Sequence, residues 1–468
     1  MKRVLVFLSL LLLLVSLDAQ EAALRNTVEE VQSTKGMKHA ALAVCVYDVS
    51  ADKPLYGYNA QMSLTPASVQ KLITTGVGFA QLGSEFRFVT KVSVRGAIDR
   101  EGVLHGNIYV EGGGDPLLGS YRYRQTAPDS LFAGWLTALK RKGVRRVDGR
   151  VCYNTAVFDD QQLHDGWQWG DVGNYYGAGV CGLNFHENMY FVYFNPGSKI
   201  EHPATVVSVK PKNINIHSVC EVTTGPENSG DMVTVYGSPT STDRLYRGTV
   251  PLGKKNFAVR GAMPNPPQHC ADLFATYLRS NGMSISSGSM QVFSRPDSLR
   301  SIIDQYSPEY YTIAQYTNLT SNNIYAESIF KYLGYNRYGK GSFANGTKAV
   351  MDYLHGKGID AGGVHIDDGS GLSRGNRVTA EFMCRYLAAV AREPFYEDFE
   401  VTLSEKKMQA GTVRVKTGTM DGVKTLAGYV TASRGRKLAF CIICNGHDCS
   451  SQDAGTQLNK ILEKIASL

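Results

Sequence analysis

The feature that most constrains this chain is a change of texture that occurs twice. Residues 22–35 have the period of a short amphipathic helix. AALAVCVYDV (40–49) and PLYGYNA (54–60) read as two strands joined by the turn SADK, and a helix follows, with Thr65 as N-cap and Pro66 in its first turn. From about residue 88 to 299, short β-prone runs such as RFVTKVSVRGAI, GNIYVEGGGDPLL and ENMYFVYFNPG alternate with clusters of Gly, Pro, Asn and Asp, and few long helical periods interrupt them. After residue 300 helical periods return in SNNIYAESIFKYLGY, NGTKAVMDYLHGKGI and TAEFMCRYLAAVARE. GTVRVKTGTM, KTLAGYVTAS and KLAFCIICNG then read as an antiparallel meander with turns at Asp421-Gly422 and Arg434-Gly435, and SSQDAGTQLNKILEKIASL as a capped amphipathic helix. A β-rich block bracketed in this way predicts one α+β core built from both ends of the chain, an antiparallel sheet flanked by helices, with a large, mostly β insertion. The expected boundaries are 20–88 and 300–468 for the split core and 89–299 for the insertion, as one or two small domains.

Composition supports a sizeable core, with 43% hydrophobic and 19% charged residues among 468. The net charge of +7 is spread without a dense Lys/Arg block, which reads as solvated surface and argues against a nucleic-acid partner. The first residues, MKRVLVFLSLLLLLVSLDA, carry Lys2 and Arg3, an apolar run from Val4 to Leu17, and Ala19. That pattern predicts a secretory signal peptide over 1–19, too short for a membrane span, and a mature protein that is exported and soluble. Nine cysteines form no disulfide scaffold in a chain this long, and the odd count leaves at least one thiol free. Cys441 and Cys444 form a C-x-x-C on a predicted strand, where residues three apart face opposite sides, so no redox or zinc pair is expected; pairing among the other cysteines stays open. The ten histidines show no metal-ligand spacing.

Chemistry enters with a lone charge. Ser-x-x-Lys occurs four times, starting at Ser50, Ser68, Ser328 and Ser404. Only Ser68 begins an apolar helix whose single charge between Thr65 and Gly83 is Lys71. Residues i and i+3 share a helix face, so the Lys71 amine can approach the Ser68 hydroxyl. Serine needs a base to become a nucleophile, and lysine serves only if burial or a nearby cation lowers its pKa. The bland alternative is a capping serine and a snorkelling lysine. Two further stretches weigh against it. TSNNIYAE places Ser321, Asn322 and Asn323 at a helix start, and VRVKTGTMDGV places Lys416, Thr417, Gly418 and Thr419 on a strand before a hairpin. Glycine in mid-strand removes a side chain where another backbone must approach closely.

Ser-x-x-Lys, Ser-x-Asn and Lys-Thr-Gly, in that order, are the signature set of serine β-lactamases and penicillin-binding proteins. With TPASVQKLITT, EGGGDPLL, DDGSGLSRGNRVTA (367–380) and VKTGTMDGVKTLAGYV, the sequence resembles the D-alanyl-D-alanine carboxypeptidase/endopeptidase family of class C, low-molecular-mass penicillin-binding proteins. The resemblance covers nearly all the mature chain and implies a penicillin-binding/serine-β-lactamase-like transpeptidase core. It implies an acyl-enzyme at Ser68 with Lys71 as base and Ser321 and Lys416 relaying a proton to the leaving amine. Asn323 would hold Lys71 and the substrate amide, Thr417 and Thr419 would bind the terminal carboxylate beside Gly418 with Lys416 supplying positive charge, and the amides of Ser68 and Thr419 would form the oxyanion hole. No cofactor or metal is implied. The expected partners are peptidoglycan peptides ending in D-Ala-D-Ala, with β-lactams as covalent inhibitors, in the periplasm of a Gram-negative bacterium. The expected function is a serine-type carboxypeptidase, with or without DD-endopeptidase activity. The alternatives are a catalytically silent peptidoglycan-binding or sensing protein, and a β-lactamase, for which no clear deacylating carboxylate loop is visible. In the insertion, HDGWQWGDVGNYYGAG offers aromatic walls and one anion, which reads as an aromatic core patch of a β domain or as a binding site. The resemblance implies an acidic residue in the inserted region that binds an amino group of the peptide side chain, and Asp171 with Tyr176 are the expected residues. Asp115 in GGGDP is expected to make a turn. One departure from the family stands before Lys416, where FYEDFEVTLSEKKMQAGTVRVK is shorter and more charged than the expected Gly- and Pro-rich loop.

Overall fold

The computed structural model describes residues 20–286, 288–432 and 435–468. The expected signal peptide and Arg434 of the last predicted turn lie outside the described residues. Helix α1 (20–33) precedes strands β1 (Ala41–Asp48) and β2 (Lys53–Tyr58), a 3-10 turn at Ala67–Val69 and helix α2 (Gln70–Leu82). There follow β3 (Val89–Ile98), β4 (Val103–Glu111), α3 (Pro128–Arg141), β5 (Arg146–Val147), β6 (Val151–Asn154) and the one-turn α4 (Trp169–Val172). Next come β7 (Met189–Asn195), β8 (Thr205–Lys210), β9 (His217–Gly225), β10 (Thr234–Tyr236), β11 (Asp243–Pro251), β12 (Phe257–Ala262), α5 (Pro266–Ser280), β13 (Ser289–Gln291) and β14 (Arg300–Tyr306). Helices α6 (Tyr310–Thr320), α7 (Asn323–Tyr338), α8 (Phe343–Gly356), α9 (Ala380–Val390) and α10 (Tyr396–Glu400) lead to β15 (Ser404–Met408), β16 (Gly411–Met420), β17 (Val423–Thr431), β18 (Lys437–Asn445) and α11 (Ser451–Ala466).

These elements form two compact units. The first contains the chain up to Ser84, Tyr310–Asn322 and Thr347–Leu468; the second contains Glu85–Glu309 and Asn323–Gly346, so α7 groups with the β-rich segment. In the first unit one antiparallel sheet runs β15-β16-β17-β18-β1-β2. The C-terminal meander supplies four neighbouring strands, and β1 docks on β18 with Cys45 opposite Cys441. One face of this sheet, with Val44, Val415, Leu426, Phe440 and Ile442, is sealed by Leu24 and Val28 of α1 and by Leu458, Ile461 and Ile465 of α11. Each such fully buried aliphatic side chain contributes about 2 kcal/mol. β18 is buried on both faces, which explains its unbroken apolar run. All nine cysteines are free; Cys444 lies in the core between the sheet and the terminal helices, while the Cys384 thiol, bonded to the Cys45 carbonyl at 3.3 Å, senses Cys441.

In the second unit a mixed sheet runs β13-β6-β4-β3-β14, with β5 beside β4. Helices α3 and α5 cover it with Leu131, Phe132, Trp135, Phe274 and Leu278. The texture reading passed over both helices, although each opens on proline, because flanking turn residues dilute their short periods. It also passed over β9 and β11. Two three-stranded sheets, β10-β11-β9 and β12-β7-β8, share a core of Tyr190, Phe194, Val222, Val235 and Tyr246.

Candidate active site

Ser68 sits in the 3-10 turn that leads into α2, one residue after Ala67, whose φ of 48° is a left-handed conformation costly for a residue with a Cβ. The start of this segment corrects one expectation. Thr65 does not cap it; Pro66 occupies the cap position, and no side chain caps the turn. Thr65 has other partners: its hydroxyl accepts from Arg377 Nη1 at 3.1 Å, and its amide donates to Asn445 Oδ1 at 2.8 Å. The turn is thus fastened to the sheet and to the loop after α8 by tertiary bonds.

Lys71 is fully buried, and its Nζ donates to Ser68 Oγ at 3.0 Å and to the Ser370 carbonyl at 2.7 Å. Ser370 belongs to the DDGSGLSRGN loop, which is organised by a buried carboxylate. Asp368 accepts from the amides of Gly371 at 2.8 Å and Ser373 at 2.6 Å and from Asn376 Nδ2 at 2.8 Å. At Gly371 φ is +82°, and a Cβ there would lie 2.0 Å from the Ala67 carbonyl oxygen. The glycine-rich loop therefore rests directly on the turn that carries Ser68, and only glycine fits at that point.

The second wall is β16. Lys416 is buried, and its Nζ donates to Ser321 Oγ at 2.9 Å and to the Thr417 carbonyl at 2.7 Å. Ser321, just after α6, is left-handed at φ 57°. Burial pushes the Lys416 amine well below the ordinary lysine range, and the charge of Lys71 adds to the effect. A Cβ at Gly418 would lie 2.1 Å from Thr425 Oγ1, 2.9 Å from the Ser68 amide nitrogen and 3.0 Å from the Pro66 carbonyl oxygen. Thr425 Oγ1 donates to that same Pro66 oxygen at 2.8 Å, pinning the strand pair to the serine turn. Thr417 and Thr419 alternate with Lys416 and Gly418 and are exposed. Lys424 Nζ, across the hairpin on β17, donates to Thr419 Oγ1 at 2.8 Å.

Ser68, Lys71, Ser321, Lys416, Thr417, Gly418 and Thr419 thus all belong to the first unit. Asn323, Asp171 and Tyr176 belong to the second. There Asn323 Nδ2 donates to the Tyr176 carbonyl at 2.7 Å, and Tyr176 Oη donates to Asp171 Oδ1 at 3.3 Å. Burial first, and then Asp171, raise the Tyr176 phenol above the ordinary tyrosine range. A cavity of about 710 Å³ in this unit, lined by Tyr121, Phe191, Tyr193, Lys210 and Lys212 among others, is lined by none of the expected site residues. The competing Ser328-x-x-Lys331 pair is fully buried in α7. Lys331 Nζ pairs with Asp159 at 2.7 Å, while Ser328 Oγ accepts from Asn184 Nδ2 at 3.2 Å. Asp115 makes its expected turn by accepting from the Leu117 amide at 2.8 Å. The short, charged stretch before Lys416 folds as α10 and the edge strand β15. Sequence reasoning missed Ser370, which acts through a main-chain atom, and Lys424, whose position follows from the register of the Asp421-Gly422 hairpin. Among the described residues no cluster of three or more metal-binding side chains could hold an ion, and no helix is long and apolar enough to cross a membrane.

A buried amine on a serine hydroxyl, with a second lysine–serine pair on the neighbouring strand, is the geometry of a serine acyl-transfer site. The family model described as the D-Ala-D-Ala carboxypeptidase 3 (S13) family matches residues 24–466. A D-alanyl-D-alanine carboxypeptidase of an Actinomadura species is 28% identical over 465 residues, spanning 92% of this chain and 82% of the relative. D-alanyl-D-alanine carboxypeptidase DacB of Haemophilus influenzae is 25% identical over 427 residues, spanning 88% and 86%. The crystal structure of penicillin binding protein 4 from Haemophilus influenzae superposes with a TM-score of 0.79 over 94% of this chain and 99% of that one, at 22% identity. The same protein complexed with a β-lactam gives 0.74 over 94% and 98%, at 21% identity. The fold is that of the penicillin-binding proteins, as the sequence resemblance implied. The chain belongs to the D-Ala-D-Ala carboxypeptidase 3 (S13) family, and its enzymology is that of a serine-type peptidase.

Proposed function

We propose that this protein removes the terminal D-alanine from peptidoglycan stem peptides through an acyl-enzyme at Ser68, with or without DD-endopeptidase action on cross-links. The observation that carries the reading is the fully buried Lys71 Nζ at 3.0 Å from Ser68 Oγ. Burial and then the charge of Lys71 lower the pKa of the Lys416 amine, so the two buried amines are electrostatically coupled. In the proposed sequence Ser68 Oγ bonds to the carbonyl carbon of the penultimate D-alanine while its proton passes to Lys71. The amides of Ser68 and Thr419 stabilise the oxyanion, a contribution of about 3 kcal/mol per donor. The C–N bond then breaks, and the leaving amine takes a proton delivered through Ser321 from Lys416. Water hydrolyses the ester and restores Ser68. Asn323 positions the substrate amide, and Thr417 and Thr419 receive the terminal carboxylate. Asp171 and Tyr176, hydrogen-bonded to one another and linked to Asn323 through the Tyr176 carbonyl, are proposed to receive an amino group of the peptide side chain. β-Lactams would acylate Ser68 by the same attack. The signal-like segment 1–19 supports export, and the proposed location is the periplasm of a Gram-negative bacterium.

The test is incubation of the mature protein and its Ser68→Ala variant with a fluorescent penicillin, followed by intact mass and D-alanine release from a muropeptide. An adduct on the wild type alone, together with D-alanine release, is expected. A folded wild type that binds muropeptide without adduct or release would instead be a silent binding protein. Rapid loss of the adduct with turnover of the penicillin would make it a β-lactamase.

A further inference from the structure

We infer that Lys424 supplies a further cation, beyond Lys416, to the subsite that receives the terminal carboxylate of the substrate beside Thr419. The inference rests on the acyl-enzyme reading above. Lys424 stands directly opposite Thr419 in the β16–β17 ladder, two residues beyond the Asp421-Gly422 turn, so the hairpin fixes its position. Its Nζ donates to Thr419 Oγ1 at 2.8 Å. The stem lies over α11, since a Cβ at Gly455 would come within 3.2 Å of Lys424 Cε and 3.8 Å of Nζ, and a side chain held in this way is preorganised.

Among the described residues no carboxylate pairs with this ammonium, and its hydrogen bond goes to a neutral hydroxyl. Burial holds the amine below the ordinary lysine range, and the nearby Lys406 charge pushes it further. An incoming anion offsets both effects by favouring the charged ammonium, whereas a neutral group offsets neither. Thr419 alone offers a carboxylate a neutral hydrogen bond; with Lys424 behind it, the contact becomes charge-assisted. The subsite therefore discriminates between a free carboxylate next to the leaving amine and a carboxamide at the same place, and it also takes the ring carboxylate of a penicillin.

The experiment compares wild type, Lys424→Met and Lys424→Arg on two matched peptides, one ending in D-Ala-D-Ala carboxylate and one in the corresponding carboxamide. Lys424→Met is expected to raise KM for the carboxylate peptide about tenfold with kcat held, to change the carboxamide reaction little, and Lys424→Arg to recover the preference. In the wild type, KM for the carboxylate peptide rises with ionic strength and that for the carboxamide does not, a readout independent of how well the variants fold. Equal slowing of both peptides, or no change in either, overturns the subsite. Fluorescent-penicillin labelling of the wild type runs alongside. Labelled Ser68 with an unaltered carboxylate preference in Lys424→Met sinks the subsite alone, whereas an unlabelled wild type sinks the acyl-enzyme reading and the subsite with it.

Discussion

Gly418→Ala tests whether β16 is held against the serine turn by backbone contact. The new Cβ would meet Thr425 Oγ1 at 2.1 Å, the Ser68 nitrogen at 2.9 Å and the Pro66 carbonyl oxygen at 3.0 Å. Ordinary contacts begin near 3.5 Å, so the shortfalls are roughly 1.4, 0.6 and 0.5 Å. Thr425 can rotate away, at the loss of its bond to Pro66 and about 1 kcal/mol. The other two neighbours are main chain and cannot rotate, so the strand must retreat by about half an ångström. Overpacking of this kind costs roughly 1–3 kcal/mol of stability. A displacement of about 1 Å between nucleophile and oxyanion donors costs about a hundredfold in rate, so half an ångström costs about tenfold. The expected result is a protein that melts several degrees lower and is acylated by fluorescent penicillin about ten times more slowly, measured by time-resolved labelling and thermal denaturation. Adding Thr425→Gly removes the 2.1 Å clash alone; it should leave both the melting temperature and the rate low, because the contacts at the Ser68 nitrogen and the Pro66 oxygen persist. A Gly418→Ala protein with native melting and acylation within about threefold of wild type would refute the reasoning.

Asp368→Asn keeps the shape of the loop centre but weakens two amide-to-carboxylate bonds, so the Ser370 carbonyl should drift from Lys71 and acylation should slow by about ten- to a hundredfold, read by the same labelling assay. Asp115 is buried, and desolvation raises its carboxyl from the ordinary 3.8 to about 7. The folded protein then keeps a proton that the unfolded chain releases, so stability falls as pH rises from about 4 to 7 and levels off above, a loss of about 4 kcal/mol. Asp115→Asn should flatten that curve and raise Tm at pH 8 but not at pH 4; an unchanged pH dependence of melting would argue against a protonated carboxyl. Lys416 loses its proton at a pH well below that of an ordinary lysine, so kcat/KM should fall on the alkaline side earlier than a free lysine would dictate. In Lys416→Arg, whatever activity remains should keep its alkaline limb to higher pH, because guanidinium stays protonated.

The catalytic types were legible because chemistry restricts them. A serine one turn before the only charge of an apolar helix, and a glycine in mid-strand after Lys-Thr, are hard to explain by packing alone. What contacts them was less legible. Ser370 serves Lys71 through a carbonyl, which every residue carries, so its side chain gave no signal. Thr65 matches the cap pattern, yet Arg377 and Asn445, more than three hundred residues away in sequence, take its hydrogen bonds. Helices α3 and α5 have clear periods once their bounds are known; averaged over a block of turns and short strands they disappear. Lys424 was readable from hairpin register, since a two-residue turn at Asp421-Gly422 sets it opposite Thr419.

Two buried lysines separate the catalytic use of this side chain from the structural one. Lys416 bonds to a hydroxyl and a carbonyl, groups that accept its hydrogens without supplying a negative charge. Losing its proton therefore leaves no unpaired anion behind, and the amine can titrate. Lys331 is as deeply buried, but Asp159 faces it at 2.7 Å and opposes the downward push of desolvation on its pKa. Deprotonating Lys331 would strand a carboxylate that is itself largely buried, so this pair is a fixed structural charge. Asp159→Asn should accordingly cost about 3 kcal/mol of stability, the penalty of breaking a buried ion pair on one side, seen as a lower melting temperature. Acylation of Ser68 in the protein that remains folded should proceed at the wild-type rate. Slowed acylation with unchanged melting would reverse the assignment and place Lys331 in the chemistry.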